Sequence, residues 1–140
     1  MVIYKLRDWI PIDKLSFICL SQNVNAINFL EKNFDKINWS RLSSNPNAIP
    51  ILEKNQENLE KNEIVWSFLS ENPNAIRLIE KNIDKINRIY LSMNPNAIHL
   101  LEKYPHKIDW PYLSKNQNAI HLIEKNLDKI DWDTTSMHKS

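Results

Sequence analysis

Apolar residues recur along this chain in two alternating spacings. At Ala97, Ile98, Leu100 and Leu101 they fall at i, i+1, i+3 and i+4, one stripe at the helical period. Much the same stripe follows the triplet Asn-Ala-Ile wherever it stands. The triplet occurs at Asn25-Ala26-Ile27, Asn47-Ala48-Ile49, Asn74-Ala75-Ile76, Asn96-Ala97-Ile98 and Asn118-Ala119-Ile120, with spacings of 22, 27, 22 and 22. Between the stripes lies a shorter pattern. Trp39 with Leu42, and Trp110 with Leu113, are predicted to face inward together on a second helix.

Each unit therefore reads as two short helices. Asn45 is a good N-cap, and Pro46 follows where a missing N–H costs nothing. Asn72-Pro73 and Asn94-Pro95 repeat the pair, with Val24 and Gln117 in the proline position elsewhere. A lysine then faces the negative helix end, and Asn33, Asn55, Asn82 or Asn126 follows, suited to a left-handed C-terminal turn. The second helix is expected after Ser16, Asn38, Asn87, Asp109 and Asp131. Pro111 directly follows Trp110 and so belongs to a first turn, which makes Asp109 the N-cap. The tetrads Phe34-Asp35-Lys36-Ile37, Ile83-Asp84-Lys85-Ile86 and Leu127-Asp128-Lys129-Ile130 join the helices, their end residues plugging the core.

A fixed period in this range indicates stacked units, none able to bury its apolar face alone. The expected fold is all-α, a short α-solenoid of about five 22-residue two-helix repeats. A leucine-rich-repeat-like α/β solenoid is the alternative, but its LxLxxN alternation is missing. Residues 1–13, with Leu6, Trp9, Ile10 and Ile12, read as an N-terminal cap, 14–132 as the repeat array and 133–140 as a polar tail. The second unit is extended over 47–66, because Leu52-Glu53-Lys54-Asn55 is copied as Leu59-Glu60-Lys61-Asn62. Seven residues make two helical turns, so a longer first helix with an unchanged face is expected. Pro50 is discordant inside it.

Composition narrows the function classes. The 140 residues carry 18 Lys and Arg against 17 Asp and Glu, a formal net charge of +1 that offers no general pull toward nucleic acid or anionic membrane. There is no glycine, which removes phosphate-cradling loops, the dinucleotide fingerprint and the GxSxG elbow. The lone Cys19 makes neither an internal disulfide nor a cysteine zinc site, so a reducing compartment is the default. No apolar run approaches a membrane span, and MVIYKLRDWIPIDK is too short in its apolar part for a signal peptide.

Recurrence within one chain separates building residues from free ones. The Ser column (Ser21, Ser43, Ser70, Ser92, Ser114) and the Asn columns beginning at Asn23 and Asn25 look like a polar site. Their types are explained by backbone groups at helix ends, satisfied unit on unit. The Glu-Lys pairs, such as Glu80-Lys81 and Glu102-Lys103, read as a solvated face of alternating charge, not as acid/base chemistry. His99 and His121 share a column, yet no third ligand recurs beside Arg77, Pro50 and Asn28, so no metal site and no cofactor are expected. Trp39, Trp66 and Trp110 read as core, and Arg88 stands in their column, exposed or ion-paired. Two positions on, Cys19, Arg41, Phe68, Tyr90 and Tyr112 form a line that resembles an interaction surface.

The pattern LSxNPNAIxLLEKNxDKIxW, with Leu6-Arg7-Asp8-Trp9-Ile10 at the start, resembles repeat proteins encoded in multiple copies by giant DNA viruses of amoebae and algae. That resemblance implies no catalytic residues, and a place in the host-cell cytoplasm or the virus particle. The residues point to a non-enzymatic scaffold that binds a protein through variable columns: Arg41, Phe68, Tyr90 and Tyr112 on one ridge, Arg77, His99 and His121 on another. Nucleic acid, membrane and cofactor are not expected as partners. A self-associating structural or virion component is the second reading, through end-to-end contacts, and an enzyme is the disfavoured third.

Overall fold

The computed structural model describes residues 10–60 and 62–130. Most of the expected cap, Trp132 and the tail over 133–140 lie outside them. The described elements are helices α1 (Phe17–Gln22), α2 (Ile27–Lys32), α3 (Trp39–Ser43), α4 (Ile49–Lys54), α5 (Gln56–Leu59), α6 (Glu63–Glu71), α7 (Ile76–Lys81), α8 (Arg88–Met93), α9 (Ile98–Lys103), α10 (Trp110–Leu113) and α11 (Ile120–Glu124). Single 3-10 turns stand at Ile12–Lys14, Phe34–Lys36, Pro46–Ala48, Pro105–Lys107 and Leu127–Lys129. The described residues are all-α. No strand occurs among them, which removes the leucine-rich alternative, a fold that needs one strand per unit.

The longest of these helices has nine residues, too few to persist alone in water, so packing must hold them. Helix α1 packs on α3, α3 on α6, α6 on α8 and α8 on α10, so the second helices touch one another in chain order. They contribute Leu42, Leu69, Leu91 and Leu113 to the core, and the first helices contribute Leu30, Leu52, Ile79 and Leu101, all fully buried. Each such side chain stabilises the fold by about 1.5–3 kcal/mol relative to exposure. Trp66 is buried, whereas Trp39 and Trp110 are half-buried against the same cluster.

Several local expectations are corrected. The asparagine of Asn-Pro-Asn-Ala caps a tight turn, not an α-helix: Asn45 Oδ1 accepts from Asn47 N at 3.0 Å, and α4 begins only at Ile49. Equivalent bonds join Asn23 to Asn25, Asn72 to Asn74, Asn94 to Asn96 and Asn116 to Asn118. Pro50 consequently sits in the first turn of α4, where it removes no helical bond. The helix-ending asparagines are not left-handed. Asn33, Asn55 and Asn82 have φ near −130° and Asn126 has φ −138°. Each donates its side-chain amide to the carbonyl four residues back, at 2.8–2.9 Å. A polar side chain thus satisfies one of the orphan carbonyls, and no φ > 0 is required.

The second unit does not carry one long first helix. Asn55 ends α4 as its counterparts end α2 and α7, α5 follows as a separate turn that buries Leu59, and α6 starts early at Glu63. Asp109 occupies the N-cap position of α10 without making a side-chain cap bond; its carboxylate faces Arg88 instead. Of the connecting tetrads, the last residues Ile37 and Ile130 plug the core, but Phe34 and Leu127 are exposed at 43% and 51%.

Candidate functional site

Side-chain amides form a polar spine that ties each unit to the one before it. Asn45 Nδ2 donates to the carbonyls of Ser21 and Asn23 at 3.0 and 3.1 Å. Asn72 repeats this on Ser43 and Asn45, Asn94 on Ser70 and Asn72, and Asn116 on Ser92 and Asn94. A parallel column joins Asn47 to Val24, Asn74 to Pro46, Asn96 to Pro73 and Asn118 to Pro95. The serines bridge in the other direction. Ser21 Oγ donates to Phe17 O and accepts from Asn38 N, and Ser70 does the same with Trp66 O and Asn87 N. Ser92 Oγ accepts from Asp109 N. Among the described residues no buried side-chain nitrogen or oxygen lacks a partner. The polar columns are therefore mortar between units, as their residue types indicated.

Arg41, Phe68, Tyr90 and Tyr112 lie on α3, α6, α8 and α10 and are all half-buried. Arg41 stands with its guanidinium carbon 5.3 Å from the Phe68 ring centroid, and Lys115 Nζ is 4.7 Å from that of Tyr112. Part of this ridge thus packs along itself. Cys19, first in the line, is exposed.

Arg77, His99 and His121 lie on α7, α9 and α11 and are exposed, as are Asn28 and Pro50. His121 directs Nε2 to Glu102 Oε1 at 2.9 Å. One unit earlier Lys103 Nζ meets Glu80 Oε1 at 2.8 Å, which holds the Glu80 carboxyl below its ordinary range and the Lys103 amine above its own. No group of three or more His, Cys, Asp or Glu able to hold a metal ion forms among the described residues.

A third set was not singled out in the sequence. Lys36, Lys85 and Lys129 lie 5.5, 5.5 and 5.4 Å from the ring centroids of Phe17, Trp66 and Trp110. The offset is 19 residues each time (36 − 17, 85 − 66, 129 − 110), a spacing that could have revealed the contact. Arg88 breaks this series, and it pairs through Nη2 with Asp109 Oδ2 at 3.2 Å. At the extended unit an open groove of about 500 Å³ is lined by Glu60, Glu63, Trp66, Asp84 and Lys85, with Lys85 bonded to Glu60. A second, of about 330 Å³, lies among Leu101, Pro105, Trp110, Leu122 and Lys129. Among the described residues no helix is long and apolar enough to cross a membrane. No family model, curated protein or solved structure matches the chain.

Proposed function

We propose that the chain is a short α-solenoid serving as a non-enzymatic scaffold, which holds a protein partner against residues that vary from unit to unit. The observation that carries this reading is a division among columns. The recurring asparagines and serines are taken up by bonds between units, while Arg77, His99 and His121 vary and stand exposed. A surface held by such mortar is pre-organised, which lowers the ordering cost of binding. Phe68, Tyr90 and Tyr112, with Arg41 beside them, are the residue types enriched at interface centres. In this reading no cofactor, metal, nucleic acid or membrane takes part. By its resemblance to the viral repeat proteins, the scaffold would work in a host-cell cytoplasm or a virus particle.

The test is a pull-down from host lysate. Wild type is compared with Arg41→Ala/Phe68→Ala/Tyr90→Ala/Tyr112→Ala and with Arg77→Ala/His99→Ala/His121→Ala, each shown to be folded by circular dichroism. A partner kept by wild type and lost by one folded variant assigns the binding column. Identical captures by all three proteins would refute the assigned surfaces.

A further inference from the structure

The connectors between helices carry a charge pattern that changes sign at one place. Lys36, Lys85 and Lys129 lie against the rings of Phe17, Trp66 and Trp110, each 19 residues earlier. An aspartate, Asp35, Asp84 or Asp128, stands directly before each of these lysines. Each rung thus sets one cation beside one carboxylate and over an aromatic face. The rung of Arg88 and Lys107 keeps the 19-residue spacing and departs from the pattern twice. Arg88 stands where the others have a ring, and His106 stands where they have the aspartate. Both departures make the rung more cationic.

The added groups are only partly used. Arg88 Nη2 pairs with Asp109 Oδ2 at 3.2 Å, yet the arginine side chain keeps 62% of its surface. A guanidinium carries five N–H donors in a planar fork, so one carboxylate leaves donors over. Lys107 is half-buried, and its ammonium has no carboxylate, ring or carbonyl partner among the described residues. A partly desolvated cation is costly unless something negative faces it. His106 is exposed and sits edge-on to Tyr104, with ring centroids 6.3 Å apart. Two cations and an imidazole therefore share the Asp109 carboxylate. These residues lie on α8 and on the turn Pro105–Lys107, inside the array and away from its ends.

We propose that this rung is an anion site, which takes the phosphoryl group of a phosphorylated side chain on a protein partner. Such a group carries about −1.5 to −2 charges and three acceptor oxygens, enough for guanidinium, ammonium and imidazole together. A carboxylate has two oxygens and a single charge, and leaves one of the three donors over. The phosphoryl group gives Lys107 the negative face that Phe17, Trp66 and Trp110 give its counterparts. Tyr104, half-buried, and Pro105, exposed, directly precede His106 and offer an apolar bank to the chain that carries the phosphate. That the source is a protein rests on the scaffold reading above. The anion site itself uses none of Arg41, Phe68, Tyr90, Tyr112, Arg77, His99 or His121, so either can fail alone.

The experiment is calorimetry and NMR titration of the full chain with three probes. They are inorganic phosphate, a phosphoserine flanked by alanines, and the same peptide with glutamate for phosphoserine. The phosphopeptide should shift the Arg88 side-chain N–H and the Lys107 amide. It should bind at least about tenfold more tightly than the glutamate peptide, the scale of one charge-assisted hydrogen bond. Arg88→Trp/His106→Asp/Asp109→Asn rebuilds the rung in the form of Trp66, Asp84 and Asn87, with a ring again beneath Lys107. That variant should fold by circular dichroism and lose at least about tenfold in phosphopeptide affinity. Lys107→Gln strands no partner and gives the same reading should the rebuilt rung not fold. Lys81→Gln, on the exposed face of α7, and the Arg41→Ala/Phe68→Ala/Tyr90→Ala/Tyr112→Ala variant should bind the phosphopeptide like wild type. No phosphopeptide binding up to about 10 mM, or binding that survives both rung variants, overturns the proposal. Inorganic phosphate bound as tightly as the phosphopeptide overturns the side-chain source and makes free phosphate the ligand.

Discussion

Asn94 donates its side-chain amide to the backbone carbonyl of Asn72 at 3.1 Å, across 22 residues of chain. Asn72 does the same to Asn45 at 3.1 Å across 27. The five-residue insertion between them leaves the bond unchanged, because the extra chain is absorbed in α5 and the early start of α6. Each asparagine spends its oxygen on its own turn and its nitrogen on the previous unit. The same residue thereby sets local shape and inter-unit register.

Asn94→Ala should destabilise the protein by about 2–3 kcal/mol, since it removes the side-chain donor to the Ser70 carbonyl, takes one of two donors from the Asn72 carbonyl, which keeps Ala75 N, and leaves Asn96 N uncapped. Asn23→Ala loses only the bond to Asn25 N and should cost about 0.5–1 kcal/mol. Urea unfolding followed by circular dichroism compares the two. Equal losses would show that the inter-unit bonds contribute nothing beyond the cap.

Ser70→Ala removes a hydroxyl that both donates to Trp66 O and accepts from Asn87 N. We expect a loss of about 1–2 kcal/mol. Ser114 Oγ bonds to Trp110 O alone among the described residues, so Ser114→Ala should be the milder of the pair in the same unfolding assay.

Arg88→Ala leaves the Asp109 carboxylate, on a residue only 9% exposed, without its cation. The cost should be about 1–3 kcal/mol, because a stranded buried charge is worse than no charge. Adding Asp109→Asn should recover much of it in a thermal melt. A double variant no more stable than Arg88→Ala would show that the pair is not what matters there.

The Glu80–Lys103 bond makes stability weakly dependent on pH. Hydrogen bonding to Lys103 lowers the Glu80 carboxyl from 4.5, so its contribution is present above that value and fades as pH falls through the lowered one. Hydrogen bonding to Glu80 raises the Lys103 amine from 10.5, so its contribution is present below that value and fades as pH rises through the raised one. Both side chains are exposed, so the effect is small and screened by salt. Melting wild type beside Glu80→Gln should show a gap at neutral pH that closes in acid. A gap unchanged by acid would mean that the ion pair is not its source.

The repeat period, the helical character and the split between structural and variable columns were all legible in the residues. Those features depend on which side of a helix a residue occupies, and a spacing of three and four records that directly. The inward Leu42 and Leu113 and the serine and asparagine mortar followed from it; Arg88 was legible only as exposed or ion-paired, without Asp109 as its partner. The partner of each polar group did not follow. An asparagine that can cap a helix, take a left-handed turn or reach a neighbouring carbonyl looks the same in one dimension. Asn33, Asn55 and Asn82 were settled by which carbonyl lay within reach, and Asn45 by the carbonyls one unit away. Whether Leu52 to Asn55 and its copy form one helix or two depended on Asn55 bonding back to Ile51. That His121 directs its ring to Glu102 Oε1 was likewise not visible in its shared column with His99. Spacing along the chain decides which residues share a face; only packing of one unit on the next decides what each face meets.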